Sequence, residues 1–320
     1  MILGSQIGMG TLHMGSLLDR AASKEVVAEA IDQGVRFFDT APLYGNQLAE
    51  EFLGEALLGQ TADVVVCTKV GLRVFERKDK RFGVEVAKLN EATLRQSVEA
   101  SLKRLRRDSI DVLLLHAFDP HTPLVETLEG LEKLYQEGKI KSFGCSNYNP
   151  QQLKLLLKCK RPFPPFRAAQ CHYNMIERRA SRFFIPACSE KGVAVVVNRA
   201  LARGTLSGQY VLGQPFAPSS RVAMSPRIQK WLTPEKFKLI DELSSIAKEN
   251  KASLLQISLQ WLLKNHQQMV VLLGVRGKEQ LRACLAASRR EIDDSIFEQI
   301  EKTITAEHHV YENPPRYFEK

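Results

Sequence analysis

The sequence predicts one (β/α)8 barrel, on three observations. Short apolar runs of strand length alternate with amphipathic stretches of about 10 to 16 residues, the pattern of repeated strand-helix units around a parallel sheet. Eight such units occur within the 320 residues. No break in composition divides them, which favours one barrel over two smaller domains. "IGMGT" precedes a helix near 23–34, "VRFFDT" one near 47–59, and the valine-rich "DVVVCTK" a long polar segment and then a helix near 91–107. "IDVLLLH" leads to a helix near 123–137, and "IKSFGCS" to one opening with "NPQQLKLLL", where Asn147 or Asn149 caps the helix ahead of Pro150. "FRAAQCHY" precedes a helix near 180–191, "VAVVVN" leads through "RGTLSGQY" to two helices near 234–264, and "MVVLLG" precedes the last, near 278–288. The barrel is expected over 1–304, with 305–320 as a C-terminal tail that lines the substrate pocket.

Composition narrows the function. With 44% hydrophobic and 25% charged residues the chain reads as a soluble globular protein. No apolar run approaches the roughly 18 residues of a membrane span. Met1 is followed by no basic segment of a secretory signal, so a cytoplasmic protein is expected. Cys67, Cys145, Cys159, Cys171, Cys188 and Cys284 are scattered, without a CxxC pair or a histidine at ligand spacing, so neither a disulfide framework nor a metal centre is expected. The net charge of +9 includes "ERKDKR" at 76–81 and "KRLRR" at 103–107. Neither run carries the aromatic interleaving of a nucleic-acid reader, so both read as solvated faces. A basic balance also suits a small anionic ligand. No coiled-coil heptad is evident, which makes a monomer the default.

In a (β/α)8 barrel the C-terminal strand ends converge on one open face, where the chemistry takes place. Asp39 ends the second strand, Lys69 the third and His116 the fourth, and Tyr44 lies just beyond Asp39. A tyrosine hydroxyl, with a pKa near 10, is a slow proton donor at neutral pH, and a nearby ammonium favours its phenolate and moves that value down. Lys69 supplies the ammonium, Asp39 holds it, and His116 donates a hydrogen bond to a substrate oxygen. Such a site protonates a developing alkoxide. A reduction there needs a bound hydride donor.

The segments "FFDTAPLYG", "CTKVG", "DVLLLHAFDP", "GKIKSFGCSNY", "QCHYN", "LARGTLSGQY" and "LLGVRGKEQL" run in order along nearly the whole chain, and in this the sequence resembles the aldo-keto reductase superfamily. The resemblance implies a (β/α)8 barrel that reduces aldehydes and ketones with a nicotinamide cofactor, or runs the reverse oxidation. It implies Asp39, Tyr44, Lys69 and His116 as the catalytic set, with Tyr44 as general acid. Ser146, Asn147 and Gln170 then hold the nicotinamide carboxamide. Leu201, Arg203 and Gly204 wrap the pyrophosphate, and Gly274, Arg276 and Gln280 meet the adenosine end. A cation at Arg276 favours a 2′-phosphate, so NADP, as NADPH, is the expected cofactor and NAD the alternative.

The chain also departs from the family's pattern. Asn198 replaces the aromatic residue that stacks on the nicotinamide, and Arg199 replaces a serine, with the pyrophosphate or an acidic substrate group in its reach. Cys284 stands where an asparagine often meets the adenine. The chain begins almost at its first strand, without the hairpin that seals the barrel bottom in many relatives, so either the bottom is closed otherwise or this is a shortened form. Substrate choice is assigned to three irregular segments, near 70–90, 209–233 and from 305 onward. Their aromatic residues Phe75, Phe82, Trp231, Tyr311, Tyr317 and Phe318 line a pocket or pin the loops, beside Arg73, His308 and His309. His121, His172 and His266 read as structural or surface residues, and His13, just after the first strand, is the best exception. A carbonyl or alcohol substrate follows, with a cofactor-sensing regulatory subunit as the alternative, because some barrels of this family act mainly through partners.

Overall fold

The computed structural model describes residues 3–60, 63–76, 82–159, 165–210, 213–217, 220, 222–265 and 268–304. Eight parallel strands close into a barrel: β1 (Ile7–Gly10), β2 (Phe37–Asp39), β3 (Val65–Val70), β6 (Val112–Leu115), β7 (Phe143–Ser146), β8 (Phe166–His172), β9 (Ala194–Asn198) and β10 (Met269–Gly274), with β10 pairing back to β1. The expected barrel is what the chain forms. The register aligns Gly10 with both Asp39 and Gly274, Ser146 with Gln170, and His172 with Asn198, so these strand ends share one rim.

Side chains alternate across each strand, which gives the barrel two cores. Inside it, Phe37, Cys67, Val112, Leu114, Ala168, Val196, Val270 and Leu272 pack together with Leu3. Leu3 is buried at 3% exposure, so the segment before β1 contributes an apolar side chain to the barrel interior. Gly144 permits the close approach of β7 to β8, because a Cβ there would lie 2.1 Å from the Ala168 carbonyl oxygen.

The outer layer is helical. α1 (Arg20–Asp32), α2 (Leu48–Leu57), α3 (Glu91–Leu105), α4 (Leu124–Gln136), α5 (Pro150–Lys158) and α6 (Phe184–Glu190) follow their strands as expected, and α8 (Pro234–Glu249) and α9 (Leu254–Asn265) precede β10. Asn149 caps α5 in a reciprocal box with Gln152, which removes Asn147 from that role. Three elements depart from the sequence reading. The segment near 70–90 contains an antiparallel pair, β4 (Leu72–Glu76) with β5 (Phe82–Val86), whose valines and phenylalanines are residue types that strands favour. A short helix, α7 (Pro226–Trp231), interrupts 209–233. After α10 (Lys278–Arg289), α11 (Asp294–Thr303) follows, capped by Asp293 and burying Ile296 and Ile300.

The arginines of the basic run at the end of α3 are ion-paired: Arg104 with Glu50 at 2.7 Å, Arg106 with Glu55 at 2.6 Å and Arg107 with Asp111 at 3.0 Å. Residues 77–81 of the other basic run, His266 and the 305–320 tail with its aromatics and histidines lie outside the described residues. Among the described residues no helix is long and apolar enough to cross a membrane, and no group of three or more potential ligands could hold a metal ion.

Candidate active site

A cleft of about 320 Å³ opens over the C-terminal rim of the barrel, within the range of small-molecule sites. Asp39, Tyr44, His116, Asn147, Gln170, Asn198, Arg199, Leu201, Arg203, Gly204, Gly274, Arg276, Gln280 and Cys284 all line it. Ser146 and Lys69 stand one layer behind them.

Lys69 is 1% exposed at the end of β3, and such an ammonium is tolerable only if every donor is used. Its Nζ donates to Asp39 Oδ1 at 2.7 Å, Asp39 Oδ2 at 2.8 Å and the Thr40 carbonyl at 2.8 Å. Burial works against its charge, but the Asp39 carboxylate outweighs that and holds the pKa above the usual lysine value. Tyr44 reaches this pair from a tight 3-10 turn in which Gly45, Asn46 and Gln47 all have left-handed backbone. Only glycine fits at the second position: φ is 54° at Gly45, and a Cβ would lie 2.0 Å from the Met14 carbonyl oxygen.

Lys69 Nζ lies 4.9 Å from the Tyr44 ring centroid, and the His116 ring meets Tyr44 edge-on at 6.5 Å between centroids. The net effect on Tyr44 differs from the sequence expectation. Burial raises its pKa, and Lys69 opposes this without overcoming it. His116 is driven well below the usual histidine value, first by burial and then by Lys69, so it is a neutral imidazole. Its backbone carbonyl accepts from Asn147 Nδ2 at 2.9 Å.

Beside these four lies a cluster of amides. Gln170 Nε2 donates to Asp39 Oδ1 at 2.9 Å, while Gln170 Oε1 accepts from Ser146 Oγ at 3.0 Å and Asn198 Nδ2 at 3.3 Å. Asn147 Nδ2 donates to Ser146 Oγ at 3.1 Å. These bonds employ the Asn147 nitrogen and leave its Oδ1 available on a residue that lines the cleft. One Gln170 N–H and the Asn147 oxygen therefore form a donor and acceptor pair, the complement of a carboxamide.

Farther along the rim the cleft is walled by an unusual backbone turn. Arg199, Ala202, Arg203 and Gly204 all have positive φ, from 45° to 96°, a run of left-handed backbone of the kind that turns amides inward on an anion. The turn is fixed from beneath. Asn174 Nδ2 donates to the Arg199 carbonyl at 2.9 Å and to Glu177 Oε2 at 2.7 Å, and Arg203 pairs with Glu177 at 3.1 Å while lying 4.5 Å over the Trp231 ring. Gln280 Oε1 accepts from the Arg276 backbone N–H at 2.9 Å and holds the segment after β10.

Sequence reasoning missed part of this. His172 is a cleft residue rather than a structural or surface one, and its Nδ1 is hydrogen-bonded to Asn198 Oδ1. The signal was available, since His172 lies two residues past Gln170 on one strand and so shares its face. His13, Leu12 and Tyr210 also line the cleft. Trp231 is buried at 7% beneath Arg203 and Lys236 and pins its loop, Phe75 is 38% exposed outside the cleft, and Arg73 pairs with Glu85. His121 is exposed, in keeping with a surface reading, and its backbone N–H donates to Asp119 Oδ1 at 2.8 Å. Asn174 carried a signal within "QCHYN", but nothing in the sequence marked Glu177.

Known proteins resemble this chain in sequence and fold. The model of the aldo/keto reductase family matches residues 6–305. The aldo-keto reductase YhdN of Bacillus subtilis is 30% identical over 289 residues, covering 88% of this chain and 84% of that protein. An NADH-specific methylglyoxal reductase of Escherichia coli is 28% identical, with 91% of this chain and 92% of that protein covered. Among solved structures, the glycerol dehydrogenase of Gluconobacter oxydans superposes with a TM-score of 0.82 at 27% identity, covering 97% of this chain and 94% of that one. The chain belongs to the aldo/keto reductase family, and it is a nicotinamide-dependent oxidoreductase acting on carbonyl or alcohol groups.

Proposed function

We propose that the protein is an NADP-dependent reductase of small, oxygen-rich aldehydes and ketones, with Tyr44 as the general acid. The observation that carries this reading is the buried Lys69–Asp39 pair set against Tyr44 and His116 at the rim of the same cleft as the amide cluster. The bound nicotinamide supplies the hydride. His116, kept neutral, donates a ring N–H to the carbonyl oxygen and orients it. Tyr44 gives its phenolic proton to that oxygen as negative charge develops, and the Lys69 ammonium stabilises the phenolate left behind. Asp39 keeps Lys69 in place. Gln170 and Asn147, supported by Ser146, hold the carboxamide and so set which ring face meets the substrate. The loop of Leu201, Arg203 and Gly204 receives the pyrophosphate.

Two relatives act, by name, on methylglyoxal and glycerol, both three-carbon molecules. The polar wall of His13, His172, Asn198 and Arg199 favours a substrate of that kind. The test is NADPH and NADH consumption across aldehydes, ketones and dicarbonyls. Turnover strongest on short dicarbonyls or hydroxycarbonyls supports the reading, and turnover confined to bulky apolar ketones contradicts the substrate class.

Cofactor choice is assigned to Arg276, at the adenosine end with Gln280 and Cys284. A guanidinium paired with a 2′-phosphate contributes a charge-assisted, partly exposed contact. Arg276→Ala is therefore expected to weaken NADPH about tenfold and NADH less than about twofold, the scale of one hydrogen bond to a charged group. Equal losses for the two cofactors, measured by protein-fluorescence quenching, would remove Arg276 from that role.

A further inference from the structure

The side chains between Lys69 and the far wall of the cleft form one continuous chain whose donor and acceptor directions are all determined. Asp39, carrying the Lys69 ammonium, only accepts, so Gln170 must turn its amide nitrogen toward it. That turns Gln170 Oε1 toward Ser146 Oγ and Asn198, which must then present its own nitrogen. Asn198 is left with Oδ1 toward His172, so the ring nitrogen facing it, Nδ1, carries a proton and donates. One buried ion pair thereby fixes two amide orientations and a histidine tautomer at the edge of the cleft.

We infer that His172 is a positioning residue for the nicotinamide end of the cofactor, acting through Asn198 on the orientation of the Gln170 amide. The inference rests on the cofactor reading above. A flat aromatic ring at position 198 would hold a nicotinamide by stacking and leave Gln170 to its other partners. Here Asn198 offers no such face. Its amide is useful only while its plane is fixed, and His172 is the partner at the end opposite Gln170. Without the Nδ1 proton, Asn198 Oδ1 loses its donor and the amide is free to rotate. Gln170 Oε1 then keeps Ser146 alone, and the N–H offered to the carboxamide is less well directed. His172 and Asn198 pair across neighbouring strands at the last aligned position of β8 and β9, so the contact is carried by the barrel itself.

The experiment compares full-length wild type, His172→Phe and His172→Gln for binding of NADPH and of 2′,5′-ADP, which has the adenosine end but no nicotinamide. Losing one donor to a half-buried amide is expected to weaken NADPH about tenfold in His172→Phe and leave 2′,5′-ADP within about twofold. His172→Gln, whose side-chain N–H can meet Asn198 Oδ1, is expected to recover to within about threefold of wild type. Unchanged NADPH binding in His172→Phe overturns the inference, and equal weakening of both ligands overturns it in favour of a general structural role. Wild type that binds neither ligand overturns the cofactor reading itself, and this inference with it.

Discussion

Tyr44→Phe is expected to lower the turnover number about a thousandfold, within the range for loss of a positioned general acid, while the NADPH dissociation constant stays within about twofold. The substitution removes one hydroxyl and keeps the ring that meets His116 edge-on and lies 4.9 Å from Lys69 Nζ. The two hydrogen bonds from Lys69 to Asp39 and the one to the Thr40 carbonyl do not use Tyr44 and survive. The loss should therefore fall on the proton step and not on binding. The pH profile carries a second expectation. Burial raises the Tyr44 pKa above its ordinary value near 10, against the pull of Lys69, so the acid stays protonated throughout neutral pH. Reduction by wild type is expected to be flat from about pH 6 to pH 9 and to fall only above that, as the phenol ionises. Single-turnover NADPH oxidation beside a fluorescence titration measures both. Turnover of Tyr44→Phe within about fivefold of wild type would assign the acid elsewhere.

The barrel and its rim were legible because both follow from short-range pattern. Eight apolar runs each followed by an amphipathic stretch leave little choice of fold, and polar residues at the ends of such runs must converge on one face. Asp39, Lys69 and His116 were found by that rule alone. The direction of the Tyr44 shift was not legible, since it depends on how far burial outweighs a neighbouring ammonium, and the sequence gives no depth. His172 was passed over because a lone histidine carries no partner in the sequence. Its role emerges only when the register of β8 against β9 brings Asn198 beside it. Glu177 likewise reads as an ordinary charge until Asn174 and Arg203 fold onto it. The hairpin of β4 and β5 and the helix α11 were hidden differently, by local patterns read as irregular chain or left unread beyond the eighth unit.

Breaking the Lys69–Asp39 pair from one side is expected to be the most costly single change in the protein. Lys69→Met leaves the Asp39 carboxylate, 3% exposed, without its ammonium and beside the neutral Gln170 amide, and an uncompensated buried charge of this kind costs about 3 to 5 kcal/mol. Turnover should vanish as well, because the phenolate of Tyr44 loses the ammonium that stabilises it. Stability and chemistry are separable by a second substitution. In Lys69→Met with Asp39→Leu no charge is buried, and replacing an ion pair by apolar groups of similar volume is often neutral, so most of the lost stability is expected to return. Turnover is not, since neither the ammonium nor the carboxylate that holds it is restored. Urea unfolding of wild type and the two variants, read beside NADPH oxidation, distinguishes the contributions. A double variant as unstable as Lys69→Met would mean that the pair stabilises the barrel by more than mutual compensation. A double variant that recovers turnover would mean that Tyr44 needs no neighbouring charge, and the proposed mechanism would fail at its central step.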